Sequence, residues 1–269
     1  MISWIGGKSR ISTWIIPFIP EEIETYTEPF SGAMWVYLKM NLDSYPNLKN
    51  VIYNDFNDYL VNLFMCCKNH EEFYKFLQNY PSQNKELFYI FQKDLNDGEP
   101  YIMPDFEKAM KFSYLTSQVF SGISPLEGQF VDLKGKYKSK FDTFKDKLIN
   151  IEYTDKLDRI TNFENLDFED VIKKYDNPDT FHYIDAPYFK VGEKYYSNQS
   201  FKLEDHERLA VCLKNIKGRF AMSYYDFPQL SEWFPKDIYH WESKEFSKNS
   251  MAIKGKKQTK GTELLIMNY

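Results

Sequence analysis

The residues best suited to chemistry lie in Phe181-His182-Tyr183-Ile184-Asp185-Ala186-Pro187-Tyr188. A strand-type run ends in an acid, and a proline-fixed turn with an aromatic follows. Pro187 lacks a backbone donor and biases Ala186 towards an extended conformation. The carbonyls of Asp185 and Ala186 are then not absorbed by a helix that starts at once. A carboxylate, one or two carbonyls and an aromatic face therefore sit together, a set that can grip a planar group bearing an amino donor. The same eight residues also read as a strand and an ordinary proline turn, so the surrounding elements have to decide.

Those elements follow an α/β rhythm. A strand ending at Glu28-Pro29-Phe30, a turn at Ser31-Gly32 and an apolar helix form the unit that opens a nucleotide-binding half, although a GxGxxG pattern is absent. Lys49–Tyr53 reads as a second strand with Asn54-Asp55 at its end and a helix over Asn57–Cys66. Asp55 follows Gly32 by 23 positions, the spacing of an acid that binds ribose hydroxyls. A helix cap by Asp55 or Asn57 is the rival reading. From Ile160 a strand, the turn Asn165-Leu166-Asp167-Phe168 and the helix Glu169–Tyr175 lead into the opening stretch. After it come a helix over Leu203–Ile216, strands over Arg219–Tyr224, Asp237–Ser243 and Thr262–Tyr269, and a helix over Asp226–Phe234. This alternation predicts an α/β fold, a doubly wound and mostly parallel sheet. Gly6-Gly7-Lys8, before the apolar run Ile11–Ile19, offers backbone N–H groups beside a cation and suits a carboxylate or phosphate.

Residues 70–150 break the rhythm with helical patterns over His70–Tyr80, Lys85–Asn96 and Asp105–Gln118, then a loop-rich stretch. The segment is too long for a simple connection. It reads as an inserted, largely helical subdomain (67–149) within a domain made of 1–66 and 150–269. Lys134, Lys136, Lys138, Lys140, Lys145 and Lys147 alternate with Tyr137, Phe141 and Phe144. Such a pattern can follow a phosphate backbone; an amphipathic helix packed on the core has the same pattern. A second basic group includes Lys256 and Lys257.

Composition sets the bounds. In 269 residues, 43% hydrophobic and 18% aromatic, there is material for a large core and for stacking surfaces. A net charge of −5 by itself argues against nucleic acid, but clustering of lysines outweighs the sum. Cys66, Cys67 and Cys212 form neither a CxxC pair nor a zinc set, so no metal is expected and a reducing compartment fits. No apolar run approaches the ~20 residues that span a bilayer, and the start is unlike a signal peptide. The expectation is a cytoplasmic protein without membrane contact, a monomer or weak dimer.

Taken in order, Gly6-Gly7-Lys8, Glu28-Pro29-Phe30-Ser31-Gly32, Asn54-Asp55-Phe56-Asn57, Asn165-Leu166-Asp167-Phe168, Tyr183-Ile184-Asp185-Ala186-Pro187-Tyr188 and the ending Glu263-Leu264-Leu265-Ile266-Met267-Asn268-Tyr269 resemble the Dam-type DNA adenine-N6 methyltransferases. The resemblance covers roughly 1–66 and 150–269 and is thin over 70–150, where the family varies. It implies a Rossmann-like methyltransferase fold, S-adenosylmethionine as cofactor, S-adenosylhomocysteine as product, and double-stranded DNA as partner. Residue by residue, it implies that Trp4, Gly7 and Lys8 line the cofactor, with Lys8 near its carboxylate. Glu28, Pro29, Phe30 and Gly32 would turn under the methionine part, Asp55 would bind the ribose, and Asp167 and Phe168 the adenine. Asp185, Ala186, Pro187 and Tyr188 would hold the target base beside the cofactor. In the insert, Gln118, Ser121, Ser124 and Gln129 are expected as base readers. Lys134, Lys136, Lys138 and Lys140, with Lys256 and Lys257, are expected on phosphates.

Three departures from the family pattern stand out. Trp4 takes the place of a more usual Tyr, and Ala33 or Met34 stands where the turn usually has another Gly. Most important, Ala186 replaces the first proline of Asp-Pro-Pro-Tyr. The alternatives are a catalytically impaired DNA- and cofactor-binding homologue, or methylation of cytosine N4 or of RNA, because the same logic serves any exocyclic amino group.

Overall fold

Val51-Ile52-Tyr53, Phe181–Ile184 and Phe220–Tyr224 combine β-branched, aromatic and other apolar residues, the composition of strands covered on both faces. In the computed structural model, which describes residues 2, 4, 6–122, 124–132, 138–189, 201–247 and 260–269, these runs are buried central strands. The sheet has seven strands: β1 (Thr25–Glu28), β2 (Asn50–Asn54), β3 (Asn162–Glu164), β4 (Thr180–Ile184), β5 (Arg219–Tyr224), β6 (His240–Ser247) and β7 (Lys260–Met267). Their order is β3-β2-β1-β4-β5-β7-β6. β3, β2, β1, β4 and β5 pair in parallel, and β7 runs antiparallel between β5 and β6. Strand placement reverses between β1 and β4, so a crevice opens at their carboxyl ends.

The helices are α1 (Ser12–Ile15), α2 (Trp35–Lys39), α3 (Asp58–Lys68), α4 (His70–Leu77), α5 (Lys85–Asn96), α6 (Phe106–Gln118), α7 (Lys140–Lys147), α8 (Ile151–Asp158), α9 (Phe168–Tyr175), α10 (Leu203–Lys214) and α11 (Leu230–Trp233). Side chains alternate across the sheet. Tyr26, Tyr53, Phe181, Tyr183, Ala221, Leu265 and Met267 join a core with α2, α3 and the helices of 70–148. Ile184, Ala186, Phe220, Met222, Tyr224 and Ile266 join a second core with α9 and α10. The segment between 70 and 148 thus shares its apolar interior with one face of the sheet.

Prolines account for the shifted element ends. The helix expected over Asp226–Phe234 is confined to Leu230–Trp233, because Pro228 disfavours helical Phe227 and cannot donate. β6 begins at His240, not at Asp237, since Ile238 and Tyr239 donate back to the Pro235 carbonyl in a turn. Pro17 converts the end of the Ile11–Ile19 run into a 3-10 turn over Ile16–Phe18.

Candidate active site

The period-2 alternation decides which side chains reach the crevice. Glu28 follows Tyr26 on β1, and Asp185 follows Tyr183 just past β4, on the same face. Because β7 runs antiparallel, its first residues lie at the carboxyl end of β5, with Leu264 opposite Tyr224. Glu263 therefore arrives beside Asp185 on that same face, although it is distant from every other site segment in sequence.

The N-terminal segment covers this corner. The Lys8 ammonium donates to Asp185 Oδ1 at 2.5 Å and lies 3.6 Å from Glu263 Oε1. It also sits 4.7 Å from the Tyr188 ring centroid. The Tyr188 hydroxyl donates to Glu263 Oε1. Burial alone would lower the Lys8 pKa, but the Asp185 and Glu263 carboxylates beside it hold it above the usual lysine value. Burial pushes Asp185 and Glu263 upward despite Lys8. Lys8, which the resemblance implies lies near the cofactor carboxylate, is paired here with two of the protein's own acids. Behind the tetrad, the Tyr224 hydroxyl accepts from Phe189 N at 3.0 Å and contacts His206 Nδ1 at 2.8 Å. It thereby fixes the chain that follows Pro187. Ala186 is buried against the second core.

A second set of side chains knits three loops together. Asn54 Nδ2 donates to the carbonyls of Pro29 (2.8 Å) and Leu166 (3.2 Å), and its Oδ1 accepts from Leu166 N at 2.9 Å. Asn165 Nδ2 donates to the carbonyls of Asp55 (2.8 Å) and Phe56 (3.1 Å). The loops after β1, β2 and β3 are thus tied to one another at the crevice. In the sequence each asparagine stands next to an acid, Asn54 before Asp55 and Asn165 after Glu164, and that adjacency is the one local signal of this work.

Asp55 accepts from Gly32 N (2.8 Å) and Asn57 N (2.9 Å), one bond per oxygen, and burial raises its pKa to about 6. Asn57, not Asp55, caps α3 by accepting from Leu60 N. Each Asp55 oxygen keeps a second lone pair, the acceptor set that a vicinal diol takes. Phe56 beside it is 63% exposed, a flat apolar face of the kind that covers a purine ring. These groups fit the nucleoside end of S-adenosylmethionine.

Glu28 is buried and accepts from the Tyr26 hydroxyl (2.7 Å) and Tyr37 N (3.1 Å), which ties β1 to α2; burial raises its pKa to about 8. Gly32 has φ +51, and a Cβ there would meet Trp4 Cδ1 at 3.0 Å. Trp4 packs between this turn and Phe112. A Cβ on Gly7 would meet the Trp4 carbonyl at 3.0 Å. Of Ala33 and Met34, one of which stands where the related pattern has glycine, Met34 also adopts a left-handed φ of 51. The backbone keeps the conformation that glycine favours. Its side chain is buried in the core.

Asp167, Phe168 and Gln118 all have partners within the fold. Asp167 caps α9 at Glu169 N and takes both arms of the Arg208 guanidinium, at 3.2 and 2.8 Å. Phe168 is buried, stacked on Phe30 and covered by Arg208. Gln118, expected as a base reader, is 2% exposed and donates to the Ser82 carbonyl, because the last turn of α6 lies in the core. Ser124, at φ 42, and exposed Gln129 lie in the loop 124–132. Gln92 pins that loop at the Pro125 and Gly128 carbonyls, and Asn96 pins it at Leu126. Ser121 lies in a 3-10 turn over Phe120–Gly122. Lys138 is paired with Asp146, and Lys140 is half-buried with its pKa lowered by burial. Lys145 pairs with Asp142, and Lys147 lies over Trp35. Of the described lysines of this group, Lys140, Lys145 and Lys147 belong to α7, whereas Lys138 precedes that helix and is exposed. Lys134, Lys136, Lys256 and Lys257 lie outside the described residues.

The strand order, with acids at the carboxyl ends of β1, β2 and β4, defines a Rossmann-like α/β fold with its site at the switch point. Residues 4–247 match the family described as D12 class N6 adenine-specific DNA methyltransferase, and the chain belongs to that family. Membership makes it a DNA methyltransferase of a class that draws its methyl group from S-adenosylmethionine. It is 27% identical to the Type II methyltransferase M1.LlaDCHI of Lactococcus lactis subsp. cremoris, over 99% of this chain and 94% of that one. It is 24% identical to the Type II methyltransferase M.CviBI of Paramecium bursaria Chlorella virus NC1A, over 100% and 99% of the two chains. It is 25% identical to a DNA adenine methylase of Haemophilus influenzae, over 89% and 82%. Among the described residues no helix is long and apolar enough to cross a membrane.

Proposed function

We propose that the chain methylates N6 of an adenine turned out of double-stranded DNA, with Asp185, the Ala186 carbonyl and Tyr188 as the site of the base. The observation that carries this reading is the half-buried Asp185 carboxylate at the carboxyl end of β4, beside the β1–β4 switch point and next to the Tyr188 ring. An exocyclic amino nitrogen is a weak nucleophile because its lone pair is delocalised into the ring. Asp185 and the Ala186 carbonyl would each accept one of its hydrogens and favour a pyramidal nitrogen. Tyr188 would cover the ring face of the extruded base. S-adenosylmethionine, when bound, supplies an electrophilic methyl group: a C–N bond forms as the C–S bond breaks, and S-adenosylhomocysteine leaves. The proton lost from N6 passes to Asp185, so the rate rests on orientation and electrostatics. Asp55 and Phe56 would hold the ribose and adenine of the cofactor, with Asp167 and Phe168 on the far side and Glu28 to Gly32 beneath.

In the segment 67–149, Ser121, Ser124 and Gln129 are the proposed base readers. The test is to map modified bases in DNA from cells expressing the wild-type chain, Asp185→Asn and Ala186→Pro. N6-methyladenine at one sequence is expected with wild type and not with Asp185→Asn. Ala186→Pro should raise turnover about tenfold by fixing the carbonyl. N4-methylcytosine, or no modified base from wild type and Ala186→Pro alike, would overturn the reading. Activity appearing only with Ala186→Pro would identify an impaired homologue.

A further inference from the structure

The Lys8 ammonium stands where the target amino group has to go. It donates to Asp185 Oδ1 at 2.5 Å and lies 4.7 Å from the Tyr188 ring centroid. A carboxylate that accepts N–H and an aromatic face are the two partners the proposed adenine site offers. An ammonium with three donors satisfies both as well as an amino group does. The amino group can take Asp185 Oδ1 only when Lys8 withdraws from it, and a buried lysine cannot withdraw from one carboxylate without another to receive it.

Glu263 is that other carboxylate. It is 2% exposed, its Oε1 is 3.6 Å from Lys8 Nζ, and the Tyr188 hydroxyl donates to the same oxygen and fixes it in place. An ordinary N–H···O separation is ~2.9 Å. A shift of under ~1 Å in the ammonium therefore completes the second contact. Tyr225 also faces this corner, 4.5 Å from the Tyr188 ring. We propose that Glu263 is a positioning residue for the target base: it receives the Lys8 ammonium and so frees Asp185 for the amino group. The inference rests on the assignment of Asp185 and Tyr188 to the base. The ammonium stays paired throughout, so the charge of the buried cluster is constant as the base enters. In Glu263→Gln, Lys8 loses the carboxylate that would receive it and stays on Asp185. The amino group must then compete with an intact buried ion pair.

The experiment compares wild type, Glu263→Gln and Glu263→Asp on a duplex carrying the mapped target. A second duplex has purine, which lacks the amino group, in place of the target adenine. Glu263→Gln should lower kcat about 10- to 100-fold and abolish the binding preference for adenine over purine. Its affinity for the purine duplex and its thermal midpoint should stay at wild-type values. Glu263→Asp should recover most of kcat. The proposal is overturned if Glu263→Gln methylates at the wild-type rate. It is equally overturned if Glu263→Gln loses purine-duplex affinity and thermal midpoint together, which marks general damage. The two readings fail separately. A wild-type product other than N6-methyladenine removes the reading of Asp185, whereas unchanged N6-methyladenine formation by Glu263→Gln removes only the role of Glu263.

Discussion

The Asp55 carboxylate, the proposed ribose ligand, is also built into the fold. Its two backbone bonds hold the Gly32 turn against the start of α3, and burial keeps its pKa near 6. A carboxyl with that pKa is charged at neutral pH and takes up a proton just below it. Affinity for S-adenosylhomocysteine, measured by calorimetry, should therefore fall as pH drops through about 6. Asp55→Asn should weaken binding about 10- to 100-fold, the worth of one or two charge-assisted hydrogen bonds, and should flatten that pH dependence. Equal pH profiles for the two proteins would place the ribose elsewhere. The position of Asp55 was legible because a spacing of 23 residues from Gly32 reflects one strand–turn–helix unit. Which residue caps α3 was decided in space, where Asn57 and not Asp55 takes the cap.

At the scale of elements, the β1–α2 connection is the tightest joint at the site. Buried Glu28 clamps Tyr37 N of α2, and Met34 holds a left-handed conformation to make the turn. The Glu28 pKa, about 8 in the fold, exceeds the ordinary 4.5 because of burial. The folded protein keeps a proton that the unfolded chain gives up, so this group's contribution to stability declines as pH climbs from 4.5 to about 8 and then levels off. Glu28→Gln cannot lose that proton. The thermal midpoint of wild type should therefore fall relative to Glu28→Gln across this window, and a constant difference between the two would contradict it. The sequence marked this turn by Gly32, whereas the left-handed Met34 carries no signature, since its cost is met by core packing that no local pattern records.

At the scale of the whole molecule, the face of the sheet under α9 and α10 buries two histidines whose neutral form burial favours. His182 on β4 contacts Thr27 Oγ1 at 2.7 Å, while its Nε2 is 3.8 Å from Asp176. His206 on α10 pairs with Tyr224 behind the tetrad. Burial lowers both, His206 to about 4. Here the unfolded chain takes up protons first, so this stability is complete above 6.5 and is lost as pH falls towards about 4. Glu28 and Asp55 act in the opposite sense, so the difference between wild type and His206→Asn isolates the effect. Wild type should lose stability relative to that variant on acidification, on the order of 2 kcal/mol, measured by urea denaturation across the pH range. A difference that does not change with pH would show that His206 is not titrating.

The amino-acid sequence by itself determined the α/β alternation, the three acids at strand ends and the ordered segments of the family. These features are local, because strand period, turn chemistry and the extended bias before Pro187 act within a few residues. The tertiary structure alone decided which groups meet. Glu263 joins the site because an antiparallel β7 brings the chain's last strand back to the carboxyl edge. Lys8 meets Asp185 across 177 positions. Gln118 turns inward because its helix shares a core with the sheet. The stretch from Asp185 to Tyr188 announced a site for an amino group, and folding put an ammonium there together with the carboxylate that can draw it away.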